Sequence, residues 1–363
     1  MEIIDPGECV KELASMEFHN GVIVPGFINT HCHLELSHLK GKLQQSHGIA
    51  EFVTQIRNNR KADELEIADG IKSALSSLKS HGIVAVGDIC NTSDTIHQKQ
   101  ESDILFHSFV ELFGLNPSDS EERFKSSMEL LNKFQLSNCG KSSLTPHSTY
   151  SISIELWALI KDELNKNQPI VSIHYGESLQ EYALLKNHSG LLADNFKKLG
   201  IPINLSEFNS PQEVVKQFIP ANSKVLFVHN TFASSAEIKE LASHYKESFF
   251  VLCPSSNLFI EGMLPDAPMI AHAGVDVTLG TDSYASTDTI SIFDQMMILL
   301  DRFPTLSFND VLNWATLSGA RALNLDSQVG SLEIGKKPGL NLITNFDFSL
   351  MRPTPKSKVK RLV

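Results

Sequence analysis

Residues 25–37 read PGFINTHCHLELS, and this stretch decides the fold. Gly26–His33 is an apolar run that ends in His-Cys-His. Side chains alternate along a strand, so His31 and His33 point to one face and Cys32 to the other. Two imidazoles on one face suit a borderline metal held at about 2.0–2.2 Å. A doubly wound nucleotide-binding sheet would place a Gly-rich phosphate turn after its first strand. This chain has His-Cys-His there instead.

Working outward, seven more short apolar runs read as strands: Ile83–Ile89, Ile104–Leu112, Ser142–His147, Ile170–Glu177, Lys224–Asn230, Phe249–Pro254 and Val277–Asp282. Several are continuous Val/Ile/Leu/Phe runs, as expected of parallel strands buried on both faces. Helical patterns lie between them. Asp63–His81 places Leu65, Ile67, Ala68, Ile71, Leu75 and Leu78 near helical spacing, with Gly82 as a stop. Ile154–Asn165, Ala233–His244 and Ser291–Arg302 behave similarly. Strands alternating with helices predict an α/β fold, a (β/α)8 TIM-type barrel over residues 26–323. The strand-like stretch before Gly26 and the β unit at Gly330–Ile343 fall outside that alternation. They predict a small β domain formed from both chain termini, residues 1–25 and 324–363.

Length and composition agree. The 363 residues suffice for one large barrel plus a small appendage. A formal net charge of -11 repels phosphate backbones, which argues against a nucleic-acid polymer as partner. A small molecule in a pocket is not excluded by that field. The basic tail of Lys356, Lys358, Lys360 and Arg361 reads as a solvated terminus. Five cysteines, an odd number without any CxxC, argue against a disulfide framework and for a reducing compartment. No stretch is long and apolar enough to span a bilayer, and the N-terminus lacks the pattern of a signal peptide. A cytoplasmic protein without a membrane partner is expected, with a homodimer left open.

In a barrel, functional side chains come from the C-terminal ends of the strands. The first strand ends in His31 and His33, the fifth at His174, the sixth at His229 and the eighth at Asp282. A set of three of these His with the Asp leaves a position for water, as a catalytic metal site requires. Glu177 stands three residues after His174, far enough beyond the strand to reach over such a site and transfer a proton.

Together, PGFINTHCHLELS, HYGES, FVHNT, CPSSNLFI and LGTDSYAST resemble the amidohydrolase superfamily, from Pro25 to Ile343. The HxxE of His174 and Glu177 resembles its mononuclear deaminase and chlorohydrolase-like branch. That resemblance implies that His31, His33, His174 and Asp282 bind one divalent metal per subunit, Zn(2+) foremost and Fe(2+) as the alternative. It implies that His229 orients the hydrolytic water, that Asp282 takes its proton and that Glu177 shuttles a proton to the substrate. The fourth strand ends in SLTPHSTYS, without the lysine that bridges two metals in dinuclear members. His147 in that stretch resembles a substrate-contacting His, and Asn257 in CPSSN is a second candidate substrate contact. Glu35 belongs to HCHLELS, which resembles a stretch of bacterial aminodeoxyfutalosine deaminases in which an acid meets ribose hydroxyls. The implied activity is hydrolytic deamination of an amino-substituted purine, pyrimidine or nucleoside. A hydrolase of another C–N or C–Cl bond and a non-catalytic scaffold are the alternatives. Two departures concern the β domain. Only residues 1–24 precede Pro25, fewer than the family's usual strands need, so a truncated domain is expected. Lys336-Lys337-Pro338-Gly339-Leu340 also lacks the acidic residue usual there.

Overall fold

The computed structural model describes residues 17–167, 169–202, 205 and 207–363. Eleven strands are β1 (Val22–Pro25), β2 (Phe27–Cys32), β3 (Ile83–Cys90), β4 (Leu105–Leu112), β5 (Lys141–Pro146), β6 (Ile170–Tyr175), β7 (Lys224–His229), β8 (Glu247–Leu252), β9 (Asp276–Leu279), β10 (Leu340–Asp347) and β11 (Arg352–Arg361). β2 to β9 are the eight barrel strands, and each coincides with one of the apolar runs to within two or three residues.

The barrel consists of two parallel four-stranded ladders, β2-β3-β4-β5 and β6-β7-β8-β9. Single bridges join them at two seams, Cys32↔Asp282 and Ser148↔His174. Side chains do much of the pairing there. At the β5/β6 seam Ser143 Oγ donates to Ile170 O at 2.8 Å, the Thr145 hydroxyl donates to Ser172 O, and Ser172 N donates back to Thr145 Oγ1 at 2.7 Å. At the β2/β9 seam Thr30 Oγ1 donates to Leu279 O and Asn29 Nδ2 to Thr281 Oγ1, both at 2.8 Å. Buried backbone groups need partners, and these hydroxyls and amides supply them where the ladder stops.

Alternation divides the core into two. Phe27, Val86, Val225, Phe227 and Leu279 pack outward against the helices. Ile28, Ile89, Phe109, Leu226, Val228 and Val251 fill the barrel interior. On β4, inward Phe109 therefore places His107 below it and Glu111 above it on the same face. The helix Glu64–Ser80 covers the predicted segment; Asp63 caps it by accepting from Glu66 N at 2.8 Å.

The terminal segments pair as an antiparallel sheet of order β1-β10-β11, a small β unit beside the barrel. β10 begins at Leu340, so Gly330–Gly339 of the predicted β unit is turn and coil. The basic tail is not a free terminus. It forms edge strand β11, with Lys356, Lys358 and Lys360 exposed and Val359 packed inward. Lysines along an outer strand discourage pairing with other chains. Expectations for residues 1–16, including Cys9, lie outside the described residues. Cys32, Cys90, Cys139 and Cys253 are buried and free. Among the described residues no helix is long and apolar enough to cross a membrane.

Candidate active site

All the candidate ligands meet at the C-terminal mouth of the barrel, around the two seams. His31 Nε2 and His33 Nε2 face each other at 3.2 Å, past an irregularity in the β2/β3 register between Asn29 and Cys32. Asp282 Oδ1 lies 3.4 Å from His33 Nε2 and 3.9 Å from His31 Nε2. The ligand atoms of His31, His33 and His174 all lie within 4.8 Å of one another. His174 Nδ1–H donates to His147 O at 2.8 Å, which turns Nε2 toward the cluster. Asp282 is held from the far side: Oδ2 accepts from Ser256 Oγ at 2.6 Å and Ser286 Oγ at 2.7 Å, while Oδ1 accepts Ser283 N at 2.7 Å.

Local backbone geometry aims these groups. Leu226 and Val228 point into the barrel, so plain alternation would turn His229 outward. His229 instead has φ 78°, followed by Asn230 at 56°, and its ring faces inward, 5.4 Å from that of His174. Asp282 has φ 59°. Left-handed backbone at non-glycine residues is uncommon and concentrates at functional sites. Gly176, at φ 56°, makes the turn that carries Glu177 off β6 and back over the site. Gly280 serves close approach, since a Cβ there would meet His31 Cβ at 2.8 Å and Cys253 Sγ at 3.0 Å.

Burial sets the charge states. It pushes the His31 imidazole well below its ordinary value, with His174, His33 and His229 adding to the effect. It lowers His33 and His229 to about 3 against the pull of Asp282. Neutral imidazoles are the form that binds a metal. Burial tends to raise Asp282, but His33, His229 and the Ser256 hydroxyl outweigh it and leave the carboxyl below its usual value. His31 Nδ1 and His229 Nε2 have no hydrogen-bond partner among the described residues. Three neutral imidazoles and an ionised carboxylate converging in a buried space are a donor set for a divalent cation.

Glu177 lies across from His229, with Oε1 3.5 Å from His229 Nε2. Burial raises its carboxyl well above the ordinary range, reinforced by Asp282, Glu261 and Glu181. Asn257 Nδ2 lies 3.3 Å from His229 Nδ1 and donates to Thr231 Oγ1 at 2.7 Å. An amide N–H facing Nδ1 makes that nitrogen the acceptor, so Nε2 carries the proton. The His147 ring packs 4.6 Å from that of His174, its Nδ1 between the hydroxyls of Ser148 and Ser151.

The Amidohydrolase family model matches residues 22–360. The chain belongs to the amidohydrolase family. An adenosine deaminase of Helicobacter pylori is 28% identical over 340 residues, covering 91% of this chain and 80% of that protein. An aminodeoxyfutalosine deaminase of a Nitratiruptor species is 27% identical, covering 89% and 79%. The structure of Helicobacter pylori aminofutalosine deaminase in complex with methylthio-coformycin superposes with a TM-score of 0.80 at 25% identity, covering 90% and 79%. Membership makes this amidohydrolase a hydrolase acting on carbon–nitrogen bonds, as the motifs lead one to expect.

Glu35 sits in a network of this amidohydrolase that its sequence does not announce. The Arg60 guanidinium donates to Glu35 Oε1. Glu35 Oε2 accepts from Asn91 N at 2.8 Å, Thr92 N at 3.0 Å and Thr92 Oγ1 at 3.2 Å. Burial raises the Glu35 carboxyl to about 7 against the opposing pull of Arg60. Arg60 also donates to Asn91 Oδ1 at 3.1 Å, and Asn91 Nδ2 donates to Glu111 Oε2 at 3.0 Å. Glu111 is absent from the sequence-based candidates, although it ends the third barrel strand, where the strand-end rule would have found it. Glu181, also absent from them, holds Glu177 from behind: its Oε2 accepts Glu177 N at 3.2 Å, and its Oε1 accepts the Thr149 hydroxyl.

Proposed function

We propose that this amidohydrolase is a hydrolytic deaminase of an amino-substituted purine, acting on a nucleoside of the adenosine or aminodeoxyfutalosine type. The observation that carries the reading is Glu177, a buried carboxyl facing His229 across 3.5 Å beside the His/Asp cluster. Similarity to deaminases of adenosine and aminodeoxyfutalosine points the same way. A triazine-type chloride displacement has weaker support, since zinc-bound atrazine chlorohydrolase of Arthrobacter aurescens shares the fold at a TM-score of 0.71 but only 18% identity.

In this reading His31, His33, His174 and Asp282 hold one divalent cation, zinc foremost. A bound cation supplies the Lewis acidity that makes water a nucleophile near neutral pH. The protein's own groups do the rest. His229 Nε2–H donates to the attacking water and fixes its lone pair toward the ring. Asp282, ionised at neutral pH, accepts the proton that the water gives up. Glu177, kept protonated by burial, donates to the ring nitrogen next to the amino-bearing carbon as the water oxygen adds there. The proton collected by Asp282 then passes to the amine, the remaining hydroxyl proton returns to Glu177 as the C–N bond breaks, and ammonia leaves with the ring carbonyl in place. Asn257 holds the His229 tautomer, and His147, packed beside the His174 ring, is a candidate substrate contact. Glu35 acts at one remove, tying the loop after β2 to the loop after β3.

The test is ammonia release by the metal-loaded protein from adenosine, 5′-deoxyadenosine, methylthioadenosine, aminodeoxyfutalosine, guanine and cytosine. Turnover of one or more adenosine-type nucleosides, at a kcat/KM well above that for the free bases, is expected. Release from none of them, with metal bound, overturns the reading.

A further inference from the structure

Glu111 stands at the inner mouth of the barrel with one oxygen engaged and the other free. Oε2 accepts Asn91 Nδ2 at 3.0 Å. Oε1 is buried and has no hydrogen-bond partner among the described residues. It lies 3.7 Å from His174 Nδ1, but that N–H is already given to His147 O at 2.8 Å. A buried acceptor without a partner costs roughly 1–3 kcal/mol, so a ligand that supplies a donor there recovers that loss.

The orientation of the Glu111 carboxyl is set from outside the site, through Oε2. Arg60 is a donor only, so the atom of Asn91 facing it is the amide oxygen. The Asn91 NH2 must then face Glu111, and Glu111 must answer with an acceptor. The relay Arg60→Asn91→Glu111 has one direction and ends on Glu111 Oε2, which leaves Oε1 as the unengaged oxygen of the carboxyl. Arg60 is pinned in turn by the Glu35 carboxylate.

Glu111, His147 and His174 also cluster closely enough to suggest a second cation. The hydrogen bond from His174 Nδ1 argues otherwise, because it leaves the one free nitrogen of His174 to the cluster with His31 and His33. Two protein donors remain, fewer than the three that catalytic zinc sites use.

We propose that Glu111 is a specificity-determining residue whose free oxygen accepts an N–H or O–H of the substrate, so that the pocket selects an aminopurine nucleoside offering a donor at that point. The inference rests on the deaminase reading and adds a substrate contact to it. Two groups of such a nucleoside supply this chemistry: a ribosyl hydroxyl and an N–H of the base.

Glu111→Gln tests the polarity directly. The Asn91 NH2 obliges the substituted amide to present its carbonyl to Asn91, which leaves its NH2 toward the substrate, so an acceptor becomes a donor of the same shape. Kinetics of the metal-loaded wild type and variant are compared on adenosine, 2′,3′-dideoxyadenosine and adenine, with metal content and Tm measured alongside. A coformycin nucleoside, followed by titration, reports binding without turnover. The expected result is a roughly 10–100-fold loss of kcat/KM and a parallel loss of coformycin affinity, with metal content and Tm unchanged. Loss on adenosine but not on the dideoxy nucleoside supports the proposal and assigns the donor to ribose; equal loss on all three supports it and assigns the donor to the base. Asn91→Ala, which keeps Glu111 but frees it to turn, should give a smaller loss with the same substrate pattern, and carries the test if Glu111→Gln does not fold. Unchanged kinetics in a metallated variant overturn the proposal while leaving the deaminase reading standing. Lost metal overturns it in favour of a role through His174, and two tightly bound metals per chain overturn it in favour of a second cation. Wild-type protein that neither turns over nor binds any of these ligands overturns both readings.

Discussion

The backbone N–H of Leu34, the residue after His33, donates to Asp88 Oδ1 at 2.8 Å, and Asp88 Oδ2 meets Lys99 Nζ at 2.6 Å on the outer side of the barrel wall. Both charged groups are fully buried. Burial pulls the Lys99 ammonium down, but Asp88 outweighs it and holds the group above its ordinary value. Lys99 also donates to Ser108 Oγ at 2.8 Å. The loop after His33, a proposed metal ligand, thus hangs on a buried ion pair that touches none of the proposed ligands directly. Removing one partner of such a pair costs about 3–5 kcal/mol, and Lys99→Met is expected to lose that much stability in urea unfolding. Replacing both, Asp88→Leu with Lys99→Met, should recover most of it, because hydrophobic replacement of a whole buried pair is often neutral. The double variant still releases the Leu34 N–H. It should therefore lose metal to a chelator faster than wild type at matched Tm. Equal metal loss would reduce Asp88 to a packing role.

The proposed ligand set makes a second prediction. His31→Ala and Asp282→Ala should each remove both metal and activity, with one metal per chain in the wild type. Elemental analysis reads this directly. Full metal content in either variant counts against the assignment of that residue. Neither change should unfold the barrel, because the β2/β9 seam is closed by groups that both substitutions keep: Thr281 N and Asp282 N donate to His31 O, each at 3.0 Å, beside the Thr30 hydroxyl and the Asn29 amide.

How far the sequence carries the site follows from what each residue depends on. Eight apolar runs place eight strands because parallel strands buried on both faces have a composition of their own. His31, His33, His174, His229 and Asp282 are legible because they end strands, and strand ends converge in a barrel. The inward turn of His229 is not legible, since it needs a left-handed backbone that alternation does not foresee. The helices Ile49–Asn59, Leu179–Asn187 and Leu191–Lys198 near the mouth escape because their apolar faces are shared with one another and with the helix Pro254–Glu261 rather than with the sheet. Glu35 shows the limit of motif reading. Its position is plain in HCHLELS, but its partner Arg60 lies 25 residues away at the end of a helix, and only the fold joins them.

Glu181 gives the protein a pH dependence with a definite sign. Burial raises its carboxyl to about 8, against the hydrogen bonds from Thr149 and the Glu177 backbone. An unfolded Glu titrates near 4.3. Between these values the folded state holds a proton that the unfolded state has released. The stability contribution is therefore fully present below about pH 4.3 and lost as pH rises through about 8. Glu181→Gln carries no proton to lose. Its Tm should fall less than that of the wild type between pH 5 and pH 8, and thermal melts across that window read the difference. Parallel curves would show that Glu181 is ionised in the fold.

Glu177→Gln separates the proposed chemistry from structure. Glu177 contributes no atom to the cluster of His31, His33 and His174, and its backbone, not its carboxyl, is what Glu181 holds. Gln keeps the shape and the reach toward His229 but carries no titratable proton. General acid–base groups contribute about 10²–10⁴-fold to rate, so the variant should bind metal, melt like the wild type and lose kcat by roughly that factor or more. KM should move little, because the lost interaction is a proton transfer made in the transition state and not ground-state binding. An ordinary Glu at the start of a helix behaves differently: its removal changes stability by about 0.3–1 kcal/mol and leaves rate alone. The two roles move different quantities, and kcat measured together with metal content tells them apart. Near-wild-type kcat in a fully metallated Glu177→Gln would end the deaminase reading of His174-Tyr175-Gly176-Glu177.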